Sequence, residues 1–493
     1  MSDLHAKETV TTSECIFGGL GGEKVAGLHL FDVAACRTLE ASTAAQLPSH
    51  ALMERAGLAV ARLAMAIAPH ASLIWIPCGP GNNGGDGFEA ALHLKSWGKN
   101  PIVTFIGDSR KQPSDATEAR RRATQANVTI SDEIPDQYDL CIDALFGIGT
   151  IRSMGAHYTA LIAQINSKIA PVLSIDTPSG LGAETGLAGA ACIKADMTLC
   201  LLSLKPGLFT ADGRHFAGEV WFNALDVPEA IGACAQLNAC YSPRARAPNT
   251  HKGTFGDVGI VGGAPGMSGA ALLAARAALH GGAGRVFLAS LDPSQTGLDR
   301  SQPEIMHRPL AEMDYASMAV VAGCGGGAAI QEHLASIITR AAKLVLDADA
   351  LNVLAKTPTL QKLLRQRPTH TTVLTPHPLE AARLMGLQSA EVQAHRMDVA
   401  QAMAKRYCCA VVLKGSGTVI TAPDKLPRIN TSGSARLATA GTGDVLAGLI
   451  GAYLAADGDL FERTCEAVYW HGHVSDNWSN QATMTAQDLV LAL

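Results

Sequence analysis

Short apolar runs, each closed by a glycine-rich or acidic turn and followed by a stretch of helical periodicity, recur through most of this chain. Strands that are apolar throughout must be buried on both faces, so the rhythm demands parallel sheets with helices on either side. Residues 72–77, 102–106, 140–145, 172–175 and 198–202 read as strands, and residues 44–68, 88–97 and 115–126 as helices. The segment 241–249, YSPRARAPN, has two prolines, two arginines and no periodicity, and it reads as a linker. The rhythm then restarts, with strands expected at 258–261, 286–289, 319–322, 344–346, 372–374 and 411–413 and helices at 269–280 and 445–453. The expectation is two α/β domains, each a layered αβα unit, at 28–240 and 250–493. A non-periodic arm at 1–27 is expected to be mobile. A length of 493 residues accommodates two such units.

Composition removes several classes of function. A net charge of −5 gives no basic excess for counterion release, so no nucleic-acid partner is expected. The longest uncharged runs, 63–85 and 258–275, are cut by Gly and Pro, so no membrane span is expected. Twelve cysteines without a C-x-x-C read as buried thiols in a reducing compartment, and the N-terminus carries no secretory or transit pattern, which makes the cytoplasm the expected location.

In open α/β sheets ligands sit beyond the carboxyl ends of the strands, so the residues just after each strand carry the information. After the first strand comes GPGNNGGDG. It contains G-x-G-x-x-G, and a Rossmann reading would use Asp108 as the acidic partner. The loop also offers Asn82 and Asn83, the permissive Gly84 and Gly85, and Asp86, ahead of a helix expected from about Phe88 whose N-terminal amides would face an anion. Asp143 and Asp176 each end a strand, in DALFGIGT and SIDTPSG. Such residues often serve only as caps or turns. Together with Asn83 and Ser179 they could hold a hard cation. Lys205, in SLKPG, reads as a surface ion-pairing lysine.

These three motifs, with MERAG at 53–57, resemble the NAD(P)H-hydrate epimerases over residues 28–241. The resemblance implies a Rossmann-like fold. It implies that Asn82, Asn83, Gly84, Gly85 and Asp86, the loop Gly147, Ile148, Gly149, Thr150, Ile151, Arg152 and Ser153, and Asp176 contact the hydrated nucleotide. A potassium ion would take Asn83, Asp143 and Ser179. Asp176 is then the candidate proton shuttle at the ring hydroxyl, with ion or ribose binding as its other reading.

In the second half the most informative stretch is ATAGTGDVLAG, where Gly443 opens a backbone-amide nest and Asp444 stands ready to take a hydroxyl proton or merely to complement the helix dipole. Lys414, Gly415, Ser416, Gly417 and Thr418 follow a strand without forming a Walker loop, and His377 and GCGGG at 323–327 follow two others. With HKGTFGDVGIVGG, MSGAALLAARAAL, LDADALN and TPHPLE, this set resembles the ADP/ATP-dependent NAD(P)H-hydrate dehydratases of ribokinase-like fold. The resemblance implies hydrated-nucleotide contacts at Ala271, Gly325, His377 and Asp444, adenine-nucleotide contacts at Lys414–Thr418 and Gly443, a magnesium ion, and a homo-oligomer. Two departures stand out: Leu379 replaces the family's usual Gly, and GCGGG with Cys324 replaces GPGLG.

Both resemblances together imply repair of NADHX and NADPHX: epimerisation of the R and S hydrates, then dehydration of the S form as ADP becomes AMP and phosphate. A ribokinase-like vitamin kinase with an N-terminal binding module is the competing expectation.

Overall fold

The computed structural model describes residues 14–17, 27–149, 154–229, 231–295, 299–479 and 482–493. The chain divides into two compact units, 1–235 and 236–493. The division falls ahead of the expected linker because Gln236 and Leu237 pair in parallel with Arg428 and Ile429 of the second sheet. Residues 241–249 carry no regular element.

The first unit holds a sheet whose order, edge to edge, is Glu14–Phe17, Glu219–Asn223, Met197–Leu201, Val172–Ile175, Leu140–Asp143, Leu73–Cys78, Asn100–Phe105 and Thr129–Ile130. All pairings are parallel except the first. The arm expected to be mobile therefore contributes an edge strand at Glu14–Phe17, held antiparallel on Glu219–Asn223; most of that arm lies outside the described residues. Successive side chains on the strands feed opposite faces. Ile74 and Ile76 pack with helices Ala51–Ile67 and Asn82–Ser96, whereas Trp75 joins Leu161, Ile162 and Ile165 on the other side.

In the second unit the order is Met306–His307, Arg285–Ser290, Asp257–Gly262, Ala319–Ala322, Lys343–Leu346, Thr372–Leu374, Ala410–Leu413, Val419–Thr421, Arg428–Ile429 and Ala235–Leu237. Pairing is antiparallel only on either side of Val419–Thr421. The same two-faced alternation holds: Val320, Leu344, Leu346 and Val411 enter one core, Val321, Val345 and Val412 the other. Both units are thus αβα sandwiches, as the strand pattern demanded. Among the described residues, no helix is long and apolar enough to cross a membrane.

The helix after GPG begins at Asn82, not near Phe88, so Asn82–Asp86 form its first turns rather than a loop ahead of it. Packing explains why so many glycines stand there. A Cβ on Gly84 would lie 2.0 Å from the Gly79 carbonyl oxygen, and one on Gly85 2.5 Å from the Met53 sulfur. Likewise the helix Thr442–Ala455 already includes Gly443 and Asp444. Gly441 caps it at φ 90°, a left-handed conformation that costs glycine least.

Candidate active sites at two sheet rims

Four adjacent parallel strands bring the first set of residues to one rim. The helix starting at Asn82 follows Leu73–Cys78, Asp143 ends its strand, Asp176 follows Val172–Ile175, and Lys205 follows Met197–Leu201. Of these, Asn82, Asp176 and Lys205 border a cavity of about 400 Å³ whose wall also includes Asn83, Asp86 and Gly147. That volume suits the reactive end of a small ligand.

Asp176 is held at φ 67°, an uncommon conformation for a residue with a side chain. Its Oδ1 accepts hydrogen bonds from the Lys205 ammonium and from the Leu201 N–H at 3.2 Å. Its Oδ2 lies 3.5 Å from where a Cβ on Gly147 would stand, and that same point is 3.2 Å from Asn83 Oδ1. Gly147 is thus the gap through which the asparagine and the carboxylate share one space. Lys205 also donates to the Leu201 carbonyl at 2.8 Å and is only 2% exposed, so the surface reading of this lysine is wrong. Burial works against its charge, but Asp176, with Cys200 and Cys36 beside it, raises the ammonium's pKa on balance. Burial, with Asp176 and Glu40 nearby, pushes Asp86 well above the ordinary carboxylate range.

Asp143 is fully buried, and burial raises its pKa even though its oxygens accept from Ser179 Oγ at 2.6 Å, Ser179 N at 2.9 Å and Ser174 Oγ at 2.9 Å. Ser179 Oγ also accepts from Phe146 N at 2.9 Å and lies 3.2 Å from the Phe146 carbonyl. Asn83 is buried, and its Nδ2 has no hydrogen-bond partner among the described residues. Gly147, Ile148 and Gly149 line the cavity, whereas Thr150, Ile151, Arg152 and Ser153 lie outside the described residues. Asp108, the Rossmann candidate, instead pairs with Arg110 at the surface through Oδ1 at 2.9 Å.

At the second rim five adjacent parallel strands deliver Ala271 on helix Ser268–His280, the GCGGG turn, Asp347, His377 and Lys414. Asp444 stands in the first turn of Thr442–Ala455. Ligand atoms of Cys324, Asp347 and Asp444 all lie within 4.8 Å of one another. Lys414 Nζ donates to Asp347 Oδ1 at 2.7 Å and lies 3.4 Å from where a Cβ on Gly443 would stand. An ammonium therefore hangs over the start of a helix whose amides are turned to the same place. Burial, then the neighbouring Asp347, raises the Asp444 carboxyl to about 6.

Supporting residues complete this rim. Arg396, 3% exposed, donates to the carbonyls of Leu413 at 3.2 Å, Lys414 at 3.3 Å and Gly417 at 3.4 Å, which braces the Lys414–Thr418 loop from behind. His377 caps helix Pro378–Met385: its Nδ1 accepts from Leu379 N at 3.1 Å and Glu380 N at 3.4 Å. Burial and Lys414 lower its pKa, and burial lifts the carboxyl of Glu380 to about 7. Ala271 is buried, 3.1 Å from where a Cβ on Gly263 would stand, and Gly325, at φ 57°, faces the Met267 carbonyl.

Two family models divide the chain in the same way. One described as YjeF-related protein N-terminus matches residues 49–207, and one described as NAD(P)H-hydrate dehydratase matches residues 258–493. The bifunctional NAD(P)H-hydrate repair enzyme Nnr of Escherichia coli K12 is 34% identical, over 89% of this chain and 87% of its own length. The chain belongs to the bifunctional NAD(P)H-hydrate repair enzymes. The Leishmania braziliensis member is also 34% identical, over 92% of this chain and 90% of its own. Among solved structures, the ADP/ATP-dependent NAD(P)H-hydrate dehydratase of Bacillus subtilis, co-crystallized with ATP/Mg2+, is similar at 29% identity. The match covers 50% of this chain and 91% of that one, with a TM-score of 0.43.

The two departures from the repair family's usual motifs have local explanations. Leu379 is 45% exposed in the first turn of its helix, where a side chain meets solvent. Cys324 is fully buried, with its thiol beside the Asp444 carboxylate, and burial raises the thiol's pKa. Sequence reasoning missed Lys205, Arg396, Asp347 and Glu380 as parts of these rims. The signal was present for Lys205 and Asp347, since each follows a strand at the functional edge.

Proposed function

We propose that the chain repairs hydrated NADH and NADPH, the first unit interconverting the R and S hydrates and the second dehydrating the S form with ADP. What carries this reading is that one chain of this family has both rims furnished, Asp176 beside Asn83 in one and Asp444 beside Lys414 and Gly443 in the other. A vitamin kinase with a mere binding module has no use for a buried carboxylate–ammonium pair on the wall of its first cavity.

In the first unit Asn82, Asn83 and the amides of the turn Gly84–Asp86 bind the phosphate-bearing part of the substrate. The ring's C6 hydroxyl lies against Asp176 Oδ2, which takes its proton as the C6–N1 bond breaks, the bond's electron pair passing to N1 and C6 becoming an aldehyde, and returns the proton as N1 re-closes on the other face of that carbonyl. Lys205 holds Oδ1 and so fixes the orientation of the carboxylate. The residues proposed for potassium suit it. Asp143 is buried with no Lys, Arg or His among the ion pairs of the described residues, and Asn83, Ser179 and the Phe146 carbonyl supply oxygens. A cation there would neutralise Asp143 and fix the turn that carries Gly147.

In the second unit Asp444 takes the proton of the C6 hydroxyl while that oxygen attacks the β-phosphorus of ADP, releasing AMP. Lys414 and the amides at Gly443 face the charge that develops on the transferred phosphoryl group. Phosphate then departs from C6, expelled by the lone pair of the ring nitrogen, and loss of a proton from C5 of the resulting iminium restores NADH or NADPH. The Cys324–Asp347–Asp444 cluster does not suit a resident magnesium ion, because one member is a thiol and another carboxylate already holds Lys414. A magnesium ion would instead arrive with the nucleotide and offset its phosphate charge. The free cysteines fit the reducing cytoplasm, where these coenzymes turn over.

Mixed epimers of NADHX test the reading. With ADP, both epimers disappear, and phosphate appears together with reduced-nicotinamide absorbance; without ADP, the two only interconvert. In Asp176→Asn the S form is consumed at the normal rate and the R form lags by at least ~100-fold. A phosphorylated product that keeps its phosphate would favour the kinase instead. The pH profile supplies a second check. Asp444 acts as a base only when ionised, so dehydratase kcat/KM falls tenfold per unit below about pH 6 and is flat above it.

A further inference from the structure

Asp347 belongs to no motif whose role has been assigned so far, yet the fold goes to some length to aim it. It follows strand Lys343–Leu346 and is 1% exposed. Its N–H donates to the Ala322 carbonyl at 3.1 Å, and its own carbonyl would lie 2.0 Å from a Cβ on Gly323, so only glycine fits there. The next residue, Ala348, sits at φ 49° and ψ −116°, a conformation that alanine rarely adopts. Strain of this kind persists only where the surroundings impose it. The sharp bend sends the Asp347 side chain into the rim, where it meets Lys414 Nζ at 2.7 Å and lies within 4.8 Å of Asp444 and Cys324.

Two carboxylates and one ammonium in so small a space have two possible pairings. If Lys414 paired with Asp444, it would stabilise that carboxylate as an anion and blunt it as a base. The structure shows the other pairing. We propose that Asp347 is a positioning residue for dehydration: it anchors the Lys414 ammonium over the Gly443 amides, where the transferred phosphoryl group passes, and so keeps the lysine from pairing with Asp444. This rests on the reading of Asp444 as the base. The charged and titratable groups that face Asp444 are Asp347, Cys324, Lys414 and Asp349. His471, whose Nε2 is 2.9 Å from the Thr442 carbonyl, is held neutral by burial, which lowers its pKa to about 4. The proximity of Asp347 is also one of the causes that lift the Asp444 carboxyl.

The test uses the full chain with Asp347→Asn, which keeps the size and an acceptor but removes the charge, and Asp347→Glu, which keeps the charge. Epimerase activity in each preparation checks that the protein is folded, and ADP binding by titration checks the second unit. Asp347→Asn should lower the dehydratase plateau at least tenfold and move its acidic limb down by about one pH unit or more, because Lys414 is freed to pair with Asp444. Asp347→Glu should leave the limb at the wild-type pH. A merely structural role would reduce the amount of active protein without moving the limb. A limb unmoved in Asp347→Asn, or a plateau within twofold of wild type, overturns the proposal. Retention of turnover in Asp444→Ala would instead overturn the base on which it rests, so the two failures are distinguishable.

Discussion

Asp444→Ala abolishes nucleotide-dependent dehydration, by about 10³-fold or more, while ADP still binds and the epimers still interconvert. A positioned general base contributes ~10²–10⁴ in rate. The upper part of that range applies here because the base acts together with an ammonium and amides already in place. The same substitution should not unfold the protein. Burial lifts the Asp444 carboxyl to about 6, above its unfolded value, so at neutral pH the folded state bears a carboxylate held in unfavourable surroundings. Stability linked to this group is present at low pH and lost as the pH rises through 6, and alanine removes that loss. The variant should therefore melt at or above the wild-type temperature at pH 7.5, in a fluorescence or calorimetric scan. Near-normal turnover in Asp444→Ala would remove the residue from the chemistry.

The largest effect on folding is expected from Gly57→Val. Gly57 lies where helix Ala51–Ile67 crosses helix Asn82–Ser96, and a Cβ there would stand 2.2 Å from the Glu89 Cβ and 2.8 Å from the Ala90 nitrogen. Both helices must separate to admit any side chain. Glu89 is fully buried and holds His50 Nε2 at 2.7 Å and Arg122 Nε at 3.0 Å, so separation also pulls a carboxylate that water does not reach away from its partners. Overpacking alone costs ~1–3 kcal/mol, and loosening a buried ion pair adds ~3 kcal/mol or more. The expected outcome is loss of soluble protein or of epimerase activity at 37 °C. Gly155→Ala is the control: among the described residues nothing lies within 4 Å of its added Cβ, and its epimerase activity should be retained. Wild-type melting behaviour in Gly57→Val would show that the crossing yields more easily than its geometry implies.

The sheets were legible because strands buried on both faces leave uninterrupted apolar runs, and the candidate rims could be picked out because the carboxyl ends of parallel strands collect ligands. Helix starts were less so. NNGGD reads as a loop since two adjacent glycines are poor helix formers. They stand in a helix because the Gly79 carbonyl and the Met53 side chain leave no room for anything larger, a fact of tertiary packing that no local pattern records. Lys205 shows the same limit for charge. A lysine after a strand reads as solvated until a carboxylate from the neighbouring strand, 29 residues away in sequence, is seen to enclose it. The edge strand Glu14–Phe17 was hidden for a related reason, because its partner Glu219–Asn223 lies at the far end of the unit.

Arg396 carries a consequence for kinetics. By gathering the carbonyls of Leu413, Lys414 and Gly417, it fixes the shape of the Lys414–Thr418 segment through the protein's own contacts. The ordering entropy of that segment is settled when the chain folds, so none of it is left to oppose each encounter with a nucleotide. Association should then proceed in a single phase, proportional to ADP concentration, without the slow second phase that marks a loop closing over its ligand.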